Sequence, residues 1–299
     1  MLLLGNLGGC NESSTIPPPP TVSNRIYVAN GDSITIYDAA ANGNVAPVTS
    51  ISQANSGNYS IGLTVHSGRI YVANLISNEI PIFASTAHGD ATPRNKLIAF
   101  CPEDVFIDAA GQIYTADACI DRIEVFAKGA TGSATPTQTI FGLQTGLSDP
   151  VDVATDSAGK IYVANWSSHS ITVYAADADS NATPVTQIAG IETGLNYPAG
   201  LAVRNVIYVA NMGGDSILIF AKDADGAAQP TRAIIGSNTG LQGPNGVALD
   251  SDGRIFVANY VTNSITVYSA AANGDATPIA MIAGDKTRLS YPADVSVAP

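Results

Sequence analysis

Three carboxylates stand at one position of a repeating unit in this 299-residue chain: Asp104, Asp152 and Asp294. The corresponding residues of the other copies are Gly62, Gly200 and Gly246. Carboxylates that converge on one axis repel unless a cation or protons intervene. Oxygen-only donors suit a hard cation, so the three aspartates form a candidate calcium site. The alternative is that each accepts hydrogen bonds from backbone or water in a wet channel. A second group is aromatic: Tyr59, Trp166, Tyr197, Tyr260 and Tyr291, with His169 close to the tryptophan. Flat rings with a polar tip can stack on a sugar or another flat ligand. The tyrosines of Tyr197-Pro198 and Tyr291-Pro292 could equally cover gaps between structural units.

The element that must position these residues is the pentapeptide Ile-Tyr-Val-Ala-Asn. It stands at Ile26–Asn30, Ile70–Asn74, Ile161–Asn165 and Ile207–Asn211, with close variants at Ile113–Asp117 and Ile255–Asn259. Counted from the residue before each copy, the steps are 44, 43, 48, 46 and 48 residues. Such a period marks a solenoid, a propeller or an array. In the unit Leu147–Ala189, four short β-branched or aromatic runs are predicted as strands: Val151–Ala154, Lys160–Ala164, Ser170–Tyr174 and Pro184–Ala189. No stretch keeps a helical period, which excludes a helical solenoid. Four antiparallel strands per unit make a propeller blade, so the chain is predicted to be an all-β, six-bladed β-propeller. Its pattern begins with a second strand, Arg25–Asn30, and ends with a first strand, Asp294–Val297. One blade must therefore be assembled from both ends of the chain, with Val295 beside Ile26–Val28, which removes two open sheet edges.

Alternating strand direction sorts the loops onto two faces. The loops leading into first strands share a face with those between second and third strands. That face is expected to carry the ligand site at the mouth of the central channel, because loops carry function while the sheet holds them still. It collects the aromatic group, His169, Met212 and the Asn/Asp series that ends each second strand. The Asn/Asp series is expected to cap turns. His66 and His88 fall elsewhere. No Gly-x-Ser-x-Gly, His-Glu-x-x-His or phosphate-loop motif occurs. No catalytic residue is assigned. Cys101 and Cys119 lie in two mouth-face loops of one blade, and an oxidising compartment would bridge them.

The composite pattern T-G-L-x-x-P-x-G-[VL]-A-[VL]-D-x-x-G-x-[IV]-Y-V-A-N, followed by S-I-x-[VI]-[YF], is carried by Thr239–Tyr268 and Thr193–Phe220. It resembles the NHL repeat over about residues 24–299. The resemblance implies a six-bladed propeller but no single activity, since this architecture hosts scaffolds, lactonases, lyases and sensors. Propeller lactonases hold a divalent metal at this mouth. Their ligand set does not map residue by residue onto this chain. Asn, rather than the usual Asp, closes five of the six second strands. The linkers after third strands repeat a Gly/Asn-Asp-Ala-Thr-Pro element, as at Asn273–Pro278, with no associated activity.

Hydrophobic residues make up 45% of the chain and charged residues only 13%, with 13 Lys and Arg against 25 Asp and Glu. That composition suits a sheet protein with uncharged polar surfaces. A net charge of -12 without a basic run disfavours nucleic-acid binding. At the N-terminus, Leu7-Gly8-Gly9-Cys10 follows an apolar stretch and resembles the lipobox of bacterial lipoproteins, with Cys10 as the lipidated residue. The proline run Pro17–Pro20 reads as a semi-rigid tether. Residues 1–23 are thus read as leader and tether, and 24–299 as the propeller. The expectation is an exported, lipid-anchored monomer of the bacterial cell envelope, periplasmic or at the surface, binding protein or glycan. The competing expectation is a metal-dependent, lactonase-like hydrolase or a lyase.

Overall fold

A computed structural model describes residues 24–52 and 60–298. The lipidation residue Cys10, the tether and Tyr59 lie outside them. The described chain forms six four-stranded antiparallel sheets. In blade 4 the strands are Pro150–Thr155, Ile161–Asn165, Ser170–Tyr174 and Thr186–Ile188. The fourth strand starts two residues later than Pro184, because Val185 already spends its N–H on the Val173 carbonyl. The first strands of blades 2 to 6 are Ser60–His66, Pro102–Ile107, Pro150–Thr155, Pro198–Val203 and Pro244–Leu249. In blade 1 that place is taken by Asp294–Ala298, which pairs with Arg25–Ala29. Val295 is opposite Val28 and Val297 opposite Ile26, so the ring closes as the sequence phase predicts.

The pentapeptide is constant because both of its faces are buried. Side chains alternate across a strand. In blade 1, Ile26 and Val28 pack against Phe256, Ile265 and Val267 of blade 6. Tyr27 and Ala29 face Leu63, Val72 and Phe83 of blade 2. The same alternation repeats in blade 4. The apolar core is therefore six layers, one between each pair of neighbouring blades.

Two sets of polar contacts reinforce these layers. At the outer rim, the linker element after each third strand reaches back to the fourth strand of the preceding blade. Gly43 bridges to Ile282, Gly89 to Ile51, Gly132 to Leu97, Ser180 to Ile140, Gly226 to Ile188 and Gly274 to Ile234. Flanking side chains add bonds: Asp225 Oδ1 accepts from the Gln187 N–H at 2.9 Å, and Asn181 Oδ1 from the Gln144 N–H at 2.8 Å. The Gly/Asn-Asp-Ala-Thr-Pro element is thus an inter-blade belt. On the mouth face, in blades 2 to 6, the residue before the third strand clasps the lead-in loop of the next blade. Asn78 Oδ1 accepts from Cys101 N, Asp121 Oδ1 from Asp149 N, Asp215 Oδ1 from Gly243 N and Asn263 Oδ1 from Tyr291 N, at 2.6–2.7 Å.

Candidate ligand-binding site

The first strands of blades 2 to 6 begin with a bulge. Pro102 is opposite Asp117 but Asp104 is already opposite Ala116, leaving Glu103 as the extra residue; Val151 and Ala199 occupy the same place in their blades. Bulges re-aim side chains beside functional sites. Here they turn the extra residues towards the channel mouth, a cavity of about 420 Å³. Ile61, Glu103, Val151, Ala199, Asn245 and Ala293 form its floor, one from each blade. In five of the six blades the residue after the pentapeptide supplies the wall: Gly31, Leu75, Trp166, Met212 and Tyr260, with Asp149 and Tyr291 from the lead-in loops. No lysine, arginine or histidine is among these lining residues.

Trp166, Tyr260 and Tyr291 therefore meet at one cavity, as expected for the mouth face. Tyr197 and His169 stand behind the tryptophan rather than in the lining. The Tyr197 ring centroid lies 4.9 Å from that of Trp166 and 4.5 Å from that of His169. Tyr260 and Tyr291 pair in the same way two blades further on, at 5.2 Å. His169 is the clasp residue of blade 4. Its Nδ1 accepts the Tyr197 N–H at 2.8 Å, where the other blades use Asn or Asp. His169 holds Tyr197 at a positive φ of 53°, and Asn263 holds Tyr291 at 49°.

Glu103 and Asp149 make the mouth acidic. Burial pushes the Glu103 carboxyl up to about 7, and the nearby charges of Asp149 and Asp104 push in the same direction. Among the described residues no hydrogen-bond donor is assigned to the Glu103 carboxylate. Asp149 accepts one bond, from the Ser167 hydroxyl at 3.1 Å.

One residue deeper, Asp104, Asp152 and Asp294 line a narrower channel of about 210 Å³. Each bonds to the first strand of another blade. Asp104 Oδ2 accepts from Val153 N at 3.3 Å, Asp152 Oδ2 from Leu201 N at 2.8 Å, and Asp294 Oδ2 from Leu63 N at 2.8 Å. Asp294 Oδ1 also accepts from Val295 N. Burial pushes Asp104 up to about 6, against the N–H groups that favour its ionised form. Burial also raises Asp152 and Asp294 well above the usual carboxylate range, and the charge on Asp104 adds to both. The other three blades carry glycine at this position for a steric reason. A Cβ on Gly62 would lie 2.7 Å from Asp104 Cα and 2.8 Å from the Glu103 carbonyl. Among the described residues no group of three or more His, Cys, Asp or Glu is gathered as a metal site.

The Asn series is structural and fully buried. Asn165 Oδ1 accepts from Ser148 N of the lead-in loop, and its Nδ2 donates to Thr172 Oγ1. Asn30, Asn211 and Asn259 make the same link to their lead-in loops. Blade 3 differs: Asp117 replaces Asn and accepts from Arg122 Nε at 3.2 Å. Burial and Glu124 push Asp117 up to about 7, with Arg122 opposing them. In that blade a disulfide between Cys101 and Cys119, with Cα atoms 5.9 Å apart, joins the same two loops covalently.

The family profile of the NHL repeat matches residues 147–174 and 241–268, the first three strands of blades 4 and 6. No curated protein matches the sequence significantly. Among solved structures the chain is similar to one in a nidogen/laminin complex, with a TM-score of 0.66, 18% identity and coverage of 93% of this chain and 99% of that one. A protein of unknown function from Bacteroides caccae aligns with a TM-score of 0.68 and 10% identity over 92% of this chain and 98% of that one. A functionally unknown protein from Desulfotomaculum acetoxidans aligns at 0.61 and 12%, over 92% and 99%. At these identities the likeness extends to the fold alone. With the six sheets, the closing strand and the matched repeats in hand, the chain is a six-bladed β-propeller, two of whose blades match the NHL repeat.

Proposed function

We propose that this protein is a non-catalytic binding module, held at the bacterial cell envelope by a lipid on Cys10, whose protein or glycan ligand docks at the channel mouth. The observation that carries this reading is the single 420 Å³ cavity at which Trp166, Tyr260 and Tyr291 meet. A concave, mostly apolar site with a few polar groups is the usual form of a ligand pocket. The rings are also pre-positioned: the clasp bonds of Asn263 and His169 fix the backbone behind them, so little ordering is left for binding.

The test is a peptide and glycan array probed with the whole chain, alongside Trp166→Ala and Tyr291→Ala. Loss of captured ligands in both variants, with unchanged circular dichroism, supports the mouth as the site; full retention sinks it. Palmitate labelling that vanishes in Cys10→Ala tests the anchor. The competing reading is a hydrolase or lyase using a divalent ion, such as calcium, at Asp104, Asp152 and Asp294. It is the weaker one, because each of these carboxylates already spends an oxygen on a backbone N–H. Metal analysis of the purified protein, with and without Asp152→Asn, separates the two.

A further inference from the structure

The ring arithmetic of the mouth gives it a polarity. Blades 3 and 6 lie opposite each other, as do blades 4 and 1. Glu103 and Asp149 come from blades 3 and 4, and Tyr260 and Tyr291 from blades 6 and 1. An acidic wall thus faces an aromatic wall, with Trp166 of blade 4 at the side. Both walls favour positive charge: carboxylates by direct attraction, ring faces through their quadrupole. Asp104, Asp152 and Asp294 lie beneath, and among the described residues no cationic side chain lines the cavity to neutralise it. Apart from Asn245 and Gly31, the rest of the lining is apolar: Ile61, Leu75, Val151, Ala199, Met212 and Ala293. A sugar would leave most of its hydroxyls unmatched against those residues, at a desolvation cost for each. An aliphatic stem ending in a charge would not.

We propose that the mouth takes a basic side chain of a protein or peptide ligand, its ammonium or guanidinium group held between Glu103 and Asp149 and the rings of Trp166, Tyr260 and Tyr291. This deepens the binding reading and rests on it. The chain contains one tryptophan, so its intrinsic fluorescence reports on this cavity directly.

The experiment titrates the whole chain with Nα-acetyl-lysine methylamide, the arginine analogue, the uncharged norleucine analogue, glucosamine and N-acetylglucosamine. Titration runs to about 20 mM, where even a millimolar site is nearly saturated. The lysine or arginine probe should give a saturable change in Trp166 emission, and norleucine none. Glu103→Gln and Asp149→Asn should each weaken binding about tenfold without lowering the melting temperature, as expected on losing a charged hydrogen bond. Equal binding of norleucine, or affinity unaffected by both substitutions, overturns the proposal. Saturation by the sugars alone overturns it too, while leaving the mouth as a binding site. No response to any probe removes both readings.

Discussion

Asp104→Asn offers the sharpest physical test of the channel. Asp104 is 8% exposed, and its Oδ2 accepts the Val153 N–H. Burial raises its carboxyl from 3.8 to about 6. A raised acid holds its proton more tightly in the folded chain, so its contribution to stability is fully present below the unfolded value. That contribution is lost as pH rises through about 6. The shift of about two units makes ionisation at pH 8 cost about 3 kcal/mol. Asparagine keeps the acceptor for Val153 and carries no charge. The variant should therefore match the parent near pH 4 and exceed it by roughly 2–3 kcal/mol at pH 8. At about 2–4 °C per kcal/mol for a domain of this size, Tm should rise by about 4–12 °C at pH 8. Calorimetric melts of both proteins at the two pH values, with and without a chelator, measure this. Equal melting temperatures at pH 8 would refute the reasoning. So would a loss at pH 8 that chelation reproduces in the parent, because the carboxylate would then be neutralised by a bound cation.

Four further outcomes follow from the same geometry. Affinity for the lysine probe should rise between pH 6 and pH 8 as Glu103 ionises; Asp149 and Asp104 are the charges beside it, and a flat profile in fluorescence titration would count against its role. Gly62→Ala should destabilise by about 1–3 kcal/mol in chemical denaturation, because the new methyl overlaps the backbone of Glu103 and Asp104. Replacing Cys101 and Cys119 with serine should lower stability by about 3 kcal/mol, the scale of a short closed loop, while the lysine titration stays intact. Deleting residues 294–299 should expose the Arg25–Ala29 edge and the layer around Ile26 and Val28; a monomeric, cooperatively melting product would contradict ring closure.

The scaffold was legible because its residues repeat. Ile26 and Val28 face one neighbour and Tyr27 and Ala29 the other, so the pentapeptide tolerates little change and announces itself six times. Ring closure followed from the phase of that repeat, and the cysteine bridge from the loops that alternating strands place on one face. The mouth was legible only in part. Trp166, Tyr260 and Tyr291 stood out by residue type, but Glu103 did not, because its place in the lining depends on a bulge that leaves no pattern in the spacing. The clasp was hidden for another reason. Asn78, Asp121, His169, Asp215 and Asn263 do one job with three residue types, and only aligning them before the third strand exposes it. That alignment would also have shown His169 to be a support for Tyr197.

The bulge separates what the propeller is from what it recognises. In blades 3, 4 and 5 its extra residue has no register partner on the neighbouring strand, so the pairing does not dictate its identity. The six floor seats hold Ile61, Glu103, Val151, Ala199, Asn245 and Ala293, five residue types where the pentapeptide beside them hardly varies. Moving a carboxylate around the axis, by pairing Glu103→Ala with Ala199→Glu, would rotate the charge pattern while leaving every ladder bond in place. Such a mouth can be re-addressed one seat at a time.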